Sequence, residues 1–162
     1  MMYRAMRWLA FQANATRIDV LHSPFVFKLY QNALKRNKQF ASSSFSTGYR
    51  ITPQQQRLCT NVFSYMNYST VIDLRNTANL APIDLVMADA ATDDSTHFDA
   101  YDLALSERLS MAVLNIHESP KATAFYEMLM RKPFAHVCVD VFDVAFLFYR
   151  PEQVPQRFSL RI

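Results

Sequence analysis

Glycine is almost missing from this chain: Gly48 is the only one in 162 residues, against a usual content of about 7%. A site that needs bare backbone against a phosphate or a nucleoside is therefore disfavoured, because only glycine lacks the Cβ that blocks so close an approach. Cysteine is scarce as well. Cys59 and Cys138 lie far apart in apolar segments, which favours two buried free thiols over a disulfide or a metal site. Free thiols suit a reducing compartment, and the expected location is cytoplasmic. Long apolar runs are also lacking near the start, where Trp8 to Phe11 is too short for a secretory core or a bilayer span. Acids are nearly absent from residues 1–57, which hold nine basic residues against Asp19 alone, a balance of +8. The remainder holds eight basic residues and thirteen acids, a balance of −5. Such a split marks either a face for nucleic acid or anionic lipid, or a basic cap docked on an acidic sheet.

What is present describes an ordered globule, with 51% apolar residues, 19% charged, 13 Phe and 8 Tyr. The length favours one domain, with a helical cap over 1–67 and a sheet core over 68–162. Met2, Met6, Leu9 and Ala13 recur at spacings of three and four, predicting an amphipathic helix over 2–15 that packs by that stripe. A membrane-surface role uses the same pattern with Trp8 and Phe11 added. Ser23-Pro24 and Thr52-Pro53 each place a capping hydroxyl before a proline suited to a first helical turn. They predict helices over about 24–37, with Lys35, Arg36 and Lys38 at its C-terminal end, and from 53, with Leu58, Val62, Phe63 and Met66 inward. The basic cluster is explained by the negative end of the helix dipole.

The stretch from Ser69 to Ala90 holds two short apolar runs, 71–74 and 83–87, that predict buried strands with Asp73 and Asp89 at or near their C-terminal ends. In an open α/β sheet ligands bind outside those ends. A helix over 98–108, a strand over 111–116, a helix from Pro120 to about Met130 and strands over 135–141 and 144–149 follow, with 124, 125, 128 and 129 inward on the helix. The last two strands are joined so tightly that they should pair antiparallel. Asp140 and Asp143 flank that joint and are expected to cap it, and Gln156–Ile162 is a candidate final edge. His22, His97, His117 and His136 are scattered, with no metal-ligand spacing.

Three segments taken in order resemble a bacterial family of class I methyltransferase-like proteins that use S-adenosylmethionine. They are HSPFVFKLY from His22, YRITPQQQRL from Tyr49 leading into Ser69–Leu74, and NIHES from Asn115 followed by VDVF at Val139 and Phe146 to Arg150. The resemblance implies a truncated Rossmann-like α/β sheet of about five strands, the last pair antiparallel, with an N-terminal helical cap. It also implies a cofactor site at Asp73, Asn76, Asp89 and Asn115. The departures bear on that site. Where the family follows its first strand with a glycine-bearing loop, this chain carries Arg75, and only about eight residues separate Leu74 from Ile83. That is too few for the family's second and third strands, so the acid that holds the ribose is expected to be absent. Leu114-Asn115 stands where the family tends to have an acidic pair.

The reading taken is therefore a degenerate methyltransferase-fold protein without cofactor or catalysis, acting through a protein partner or as a homodimer. In it Asp73, Asn76, Asp89 and Asn115 are vestiges and no catalytic or metal-binding residue is assigned. The alternative is an active compact methyltransferase that uses S-adenosylmethionine through those four residues. A third reading, nucleic-acid binding by the basic first 57 residues, has no recognised motif.

Overall fold

The computed structural model describes residues 2–16, 22–35, 46–76, 83–94 and 110–162. The helix expected over 98–108, His97, Arg36 and Lys38 lie outside them. Three helices begin at a proline: α2 (Pro24–Leu29), α3 (Pro53–Tyr65) and α4 (Pro120–Leu129). Before each, a hydroxyl of Ser23, Thr52 or Ser119 accepts a backbone N–H from the first turn, which satisfies a donor that a helix start leaves open. At α3 the cap is reciprocal, because the Gln55 side chain accepts the Thr52 N–H in return. The helix expected to run on from Leu29 instead widens into a π turn over Tyr30–Leu34. The Asn61 amide donates to the Ala33 carbonyl there at 3.0 Å.

Six strands follow: β1 (Val71–Asp73), β2 (Leu85–Asp89), β3 (Ser110–Leu114), β4 (Val137–Asp140), β5 (Val144–Phe148) and β6 (Gln156–Ser159). They form one open sheet in the order β1-β2-β3-β5-β4-β6. The first three are parallel, β5 runs antiparallel between β3 and β4, and β6 lies parallel to β4 on the far edge. The sheet thus has six strands where about five were expected, the added one being the terminal edge segment. Every residue of β2, β3, β4 and β5 is buried. Alternation divides them between two cores. Leu85, Met87, Leu114, Val139 and Phe146 face α2 and α3, whereas Val86, Met111, Val113, Cys138 and Leu147 face α4.

α1 (Met2–Asn14) corrects an expectation. Its Met2, Met6 and Leu9 are 79%, 61% and 63% exposed, while Phe11 is the buried residue. The face turned inward is the polar one. Arg4 pairs with Glu118 and Asp143, Arg7 approaches His117, and the Tyr3 hydroxyl donates to Thr123. Phe11 packs on Phe142, and Thr16 donates to the Ser159 carbonyl. Periodicity shows that one side of this helix is apolar; the placement of Glu118 and Asp143 decides which side docks. On α4 the same kind of shift occurs: Ala124 is exposed, and Ala122 and Tyr126 join Phe125 and Leu129 in the core.

With so little glycine, the left-handed backbone positions among the described residues fall to Asn67, Asn115 and Phe142. Asparagine tolerates this region, but for a bulky residue such as Phe142 it is strained. The strain is held by the Phe142 N–H on Asp140 and by the ring's contacts with Phe11 and His117.

Candidate functional site

The C-terminal ends of β1, β2 and β3 lie side by side, and each carries a polar residue: Asp73, Asp89 and, just past β3, Asn115. Asp89 is buried, and one of its oxygens accepts the Asn115 side-chain amide at 2.9 Å and the Ala91 N–H at 3.0 Å. Asn115 in turn accepts from the Gln55 amide at 2.8 Å, so the capping residue of α3 also orients the site. Asp73 stands apart from that pair. Its oxygens accept the Thr47 hydroxyl and the Gly48 N–H, each at 2.5 Å. A Cβ built on Gly48 would come within 3.1 Å of the same carboxylate, so the chain's single glycine lets backbone approach this acid closely. Asn76 is exposed in the turn after β1, its N–H on the Asp73 carbonyl.

Three further residues complete the arrangement, and sequence reasoning singled out only one of them. Asp93 is fully buried and accepts from Tyr49 at 2.7 Å, from the Asp89 N–H at 2.8 Å and from Arg75 at 2.5 Å. The Arg75 guanidinium also lies over the Tyr49 ring, 5.4 Å from its centre. Asp93 raises Arg75 above its ordinary pKa, and burial, followed by the hydrogen bond to Asp93, holds the Tyr49 phenol protonated far above its own. Arg75 was marked by the missing glycine. Tyr49 and Asp93 carried no local signal, since their meeting depends on how the loop before α3 folds over the β2 end.

A second polar cluster lies at the C-terminal end of β4. The buried His117 sits 2.8 Å from Asp140, whose other oxygen accepts the Phe142 N–H at 2.7 Å. Asp140 therefore caps the joint as expected, whereas Asp143 turns to Arg4. Among the described residues no group of three or more His, Cys, Asp or Glu side chains could hold a metal ion. Nor is any described helix long and apolar enough to cross a membrane.

No protein-family model, curated protein or solved structure matches the chain. At this site the geometry offers an acid–amide pair, Asp89 and Asn115, beside an acid, Asp93, whose oxygens are occupied by the protein's own donors.

Proposed function

We propose that this chain is a shortened, Rossmann-like methyltransferase fold that has given up its cofactor and acts through binding. The carrying observation is that the groups a cofactor would need are engaged with one another. Arg75 fills the loop after β1 and pairs with Asp93, and Asp73 is satisfied by Thr47 and Gly48. The strand order supports the fold reading. A doubly wound sheet of order 3-2-1-4-5-6 that loses strands 2 and 3 keeps 1-4-5-6, and β1-β2-β3-β4 follow that order with β5 inserted before the last.

The binding face proposed is the outward side of α1, and its occupant a second copy of the chain. Met2, Met6, Trp8 and Leu9 are 79%, 61%, 47% and 63% exposed, with exposed Ala5, Ala10 and Ala13 beside them. Monomers rarely leave a contiguous apolar patch beyond a few hundred Å² open. The apolar side chains of this face are uncharged, and Arg4, beside Trp8 and 40% exposed, is neutralised by Glu118 and Asp143, so two copies meet without strong repulsion. A membrane-surface helix would instead turn cations toward the headgroups, yet Arg4 and Arg7 face inward. These are also two of the nine cations on which a nucleic-acid reading would rest. One helix about 20 Å long reaches only the low end of dimer interfaces, near 1,200 Å² in total, so the dimer should be weak.

Calorimetric titration with S-adenosylmethionine and with its demethylated product tests the first part, and no saturable heat is expected up to millimolar ligand. Micromolar binding abolished by Asp89→Ala would overturn it in favour of an active compact methyltransferase. For the second part, sedimentation equilibrium should show a dimer that Leu9→Glu abolishes. A monomer at every concentration would remove α1 as the interface.

A further inference from the structure

A pocket of about 240 Å³ lies between α1, α4 and the β4–β6 edge, lined among others by Arg7, His117, Tyr126, Arg157 and Ser159. We infer that it binds a small anion of the phosphate class, such as a phosphomonoester. The inference is independent of the cofactor question.

Its first support is an unmet donor. The Arg7 Nε is buried and has no hydrogen-bond partner, a condition that buried polar groups rarely tolerate without an ion or water. The rest of that guanidinium is also lightly used: its one contact is a 3.4 Å approach to His117 Nδ1, long for a hydrogen bond. The free Nε edge of an arginine is the side that grips two oxygens of a phosphate at once.

The second support is a second arginine without an acid partner. Arg157 shares the pocket and spends one nitrogen on the Met130 carbonyl at 2.9 Å, and neither arginine has a carboxylate partner among the described residues. Asp140 and Glu127 also line the pocket and balance the two arginines in formal charge. Asp140, however, spends its oxygens on His117 and the Phe142 N–H, and Glu127 is exposed, so neither carboxylate pairs with an arginine. His117 faces Asp140 through Nε2 at 2.8 Å and Arg7 through Nδ1. Tyr126, nearly buried against the pocket, contributes a phenol that burial keeps protonated and able to donate. The small volume argues for a compact ligand, since pockets for larger molecules begin near 300 Å³.

Because Arg7 sits on α1 and Arg157 on β6, a bound anion would bridge the two elements. That gives the site a readout beyond affinity: amide exchange in α1 should slow when the pocket fills.

The test uses the full chain, with inorganic phosphate and glycerol phosphate as probes and chloride at matched ionic strength as the control. Saturable binding at millimolar concentration or below is expected, with a melting temperature that rises with phosphate as the linkage relation requires. Arg7→Gln and Arg157→Gln should each weaken binding at least tenfold, and Arg7→Lys should recover part of it. Arg4→Gln, which loosens α1 without touching the pocket, should change affinity no more than about twofold. Soluble phosphate binding without lipid identifies a metabolite source. Binding only to phosphatidate vesicles, still lost in Arg7→Gln, identifies a lipid one. Absence of saturable binding in the folded wild type, or equal binding by folded Arg7→Gln and Arg157→Gln, would overturn the proposal.

Discussion

Arg75 supplies to Asp93 the positive partner that a buried carboxylate requires. Arg75→Gly should therefore cost stability and, on the proposed reading, gain no cofactor binding. Asp93 would keep two of its three donors, so a loss of about 1–3 kcal/mol is expected from the denaturation midpoint. Cofactor binding by that variant would mean that the arginine alone blocks the pocket. The two thiols give a second prediction at this scale. Burial pushes Cys59 up to about 12 and Cys138 up to about 11, leaving both protonated at neutral pH. Alkylation by iodoacetamide should then be slow in native protein and rapid once denaturant unfolds it. That these are two free thiols was legible because the two cysteines lie far apart, with no second Cys or His at metal-ligand spacing. The Arg75–Asp93 pair was not, because 18 positions of separation say nothing until β1 and β2 are aligned with Val71 beside Leu85.

At the scale of elements, prolines behind hydroxyl caps announced α2, α3 and α4, since a cap acts within four residues and needs no tertiary partner. α1 shows where that reasoning stops. Its apolar stripe was visible, but whether the stripe or the arginines should face the protein depended on acids more than 100 positions away. Exposed ion pairs are individually worth only about 0.2–1 kcal/mol, so α1 should be among the more loosely held parts of the molecule. Arg4→Ala, which removes contacts to Glu118 and Asp143 together, is expected to speed amide exchange across residues 2–14. Exchange in β2, β3 and β5 should stay unchanged. Equal acceleration throughout the sheet would show that α1 is part of the cooperative core.

For the molecule as a whole, continuous apolar runs identified β2 to β5 as buried strands, whereas β1, expected to be buried, is half-buried. The tight joint between the last two runs identified the antiparallel β4–β5 pair. The parallel pairing of β6 with β4 was not readable, because a terminal edge strand can run either way with similar side-chain alternation. The sheet is also secured at the N-terminal ends of its strands. There the Asp84 carboxylate accepts N–H and hydroxyl groups of Ser69 and Thr70, tying the entry of β1 to that of β2. Burial alone would raise the Asp84 carboxyl, but these hydrogen bonds outweigh it and leave it below its ordinary value of 3.8. A depressed folded-state pKa means that the contribution is fully present above the ordinary value and fades as pH falls beneath it. Asp84→Asn should accordingly unfold at lower denaturant than wild type at pH 7, and the gap should close below about pH 3.8. A gap that does not vary with pH would point to packing instead of charge.

The seat of α1 also orders events in time. Thr123, Glu118, Asp143, His117, Phe142 and Ser159, the groups that hold Tyr3, Arg4, Arg7, Phe11 and Thr16, all belong to the later part of the chain. During synthesis the helix emerges well before anything it can dock on, and closing so long a loop is entropically costly. Until residue 159 has left the ribosome, a segment with arginines on one side and methionines on the other has no place to settle. The nascent chain therefore passes through a period in which its first helix is available to chaperones, and that period ends only when β6 is made.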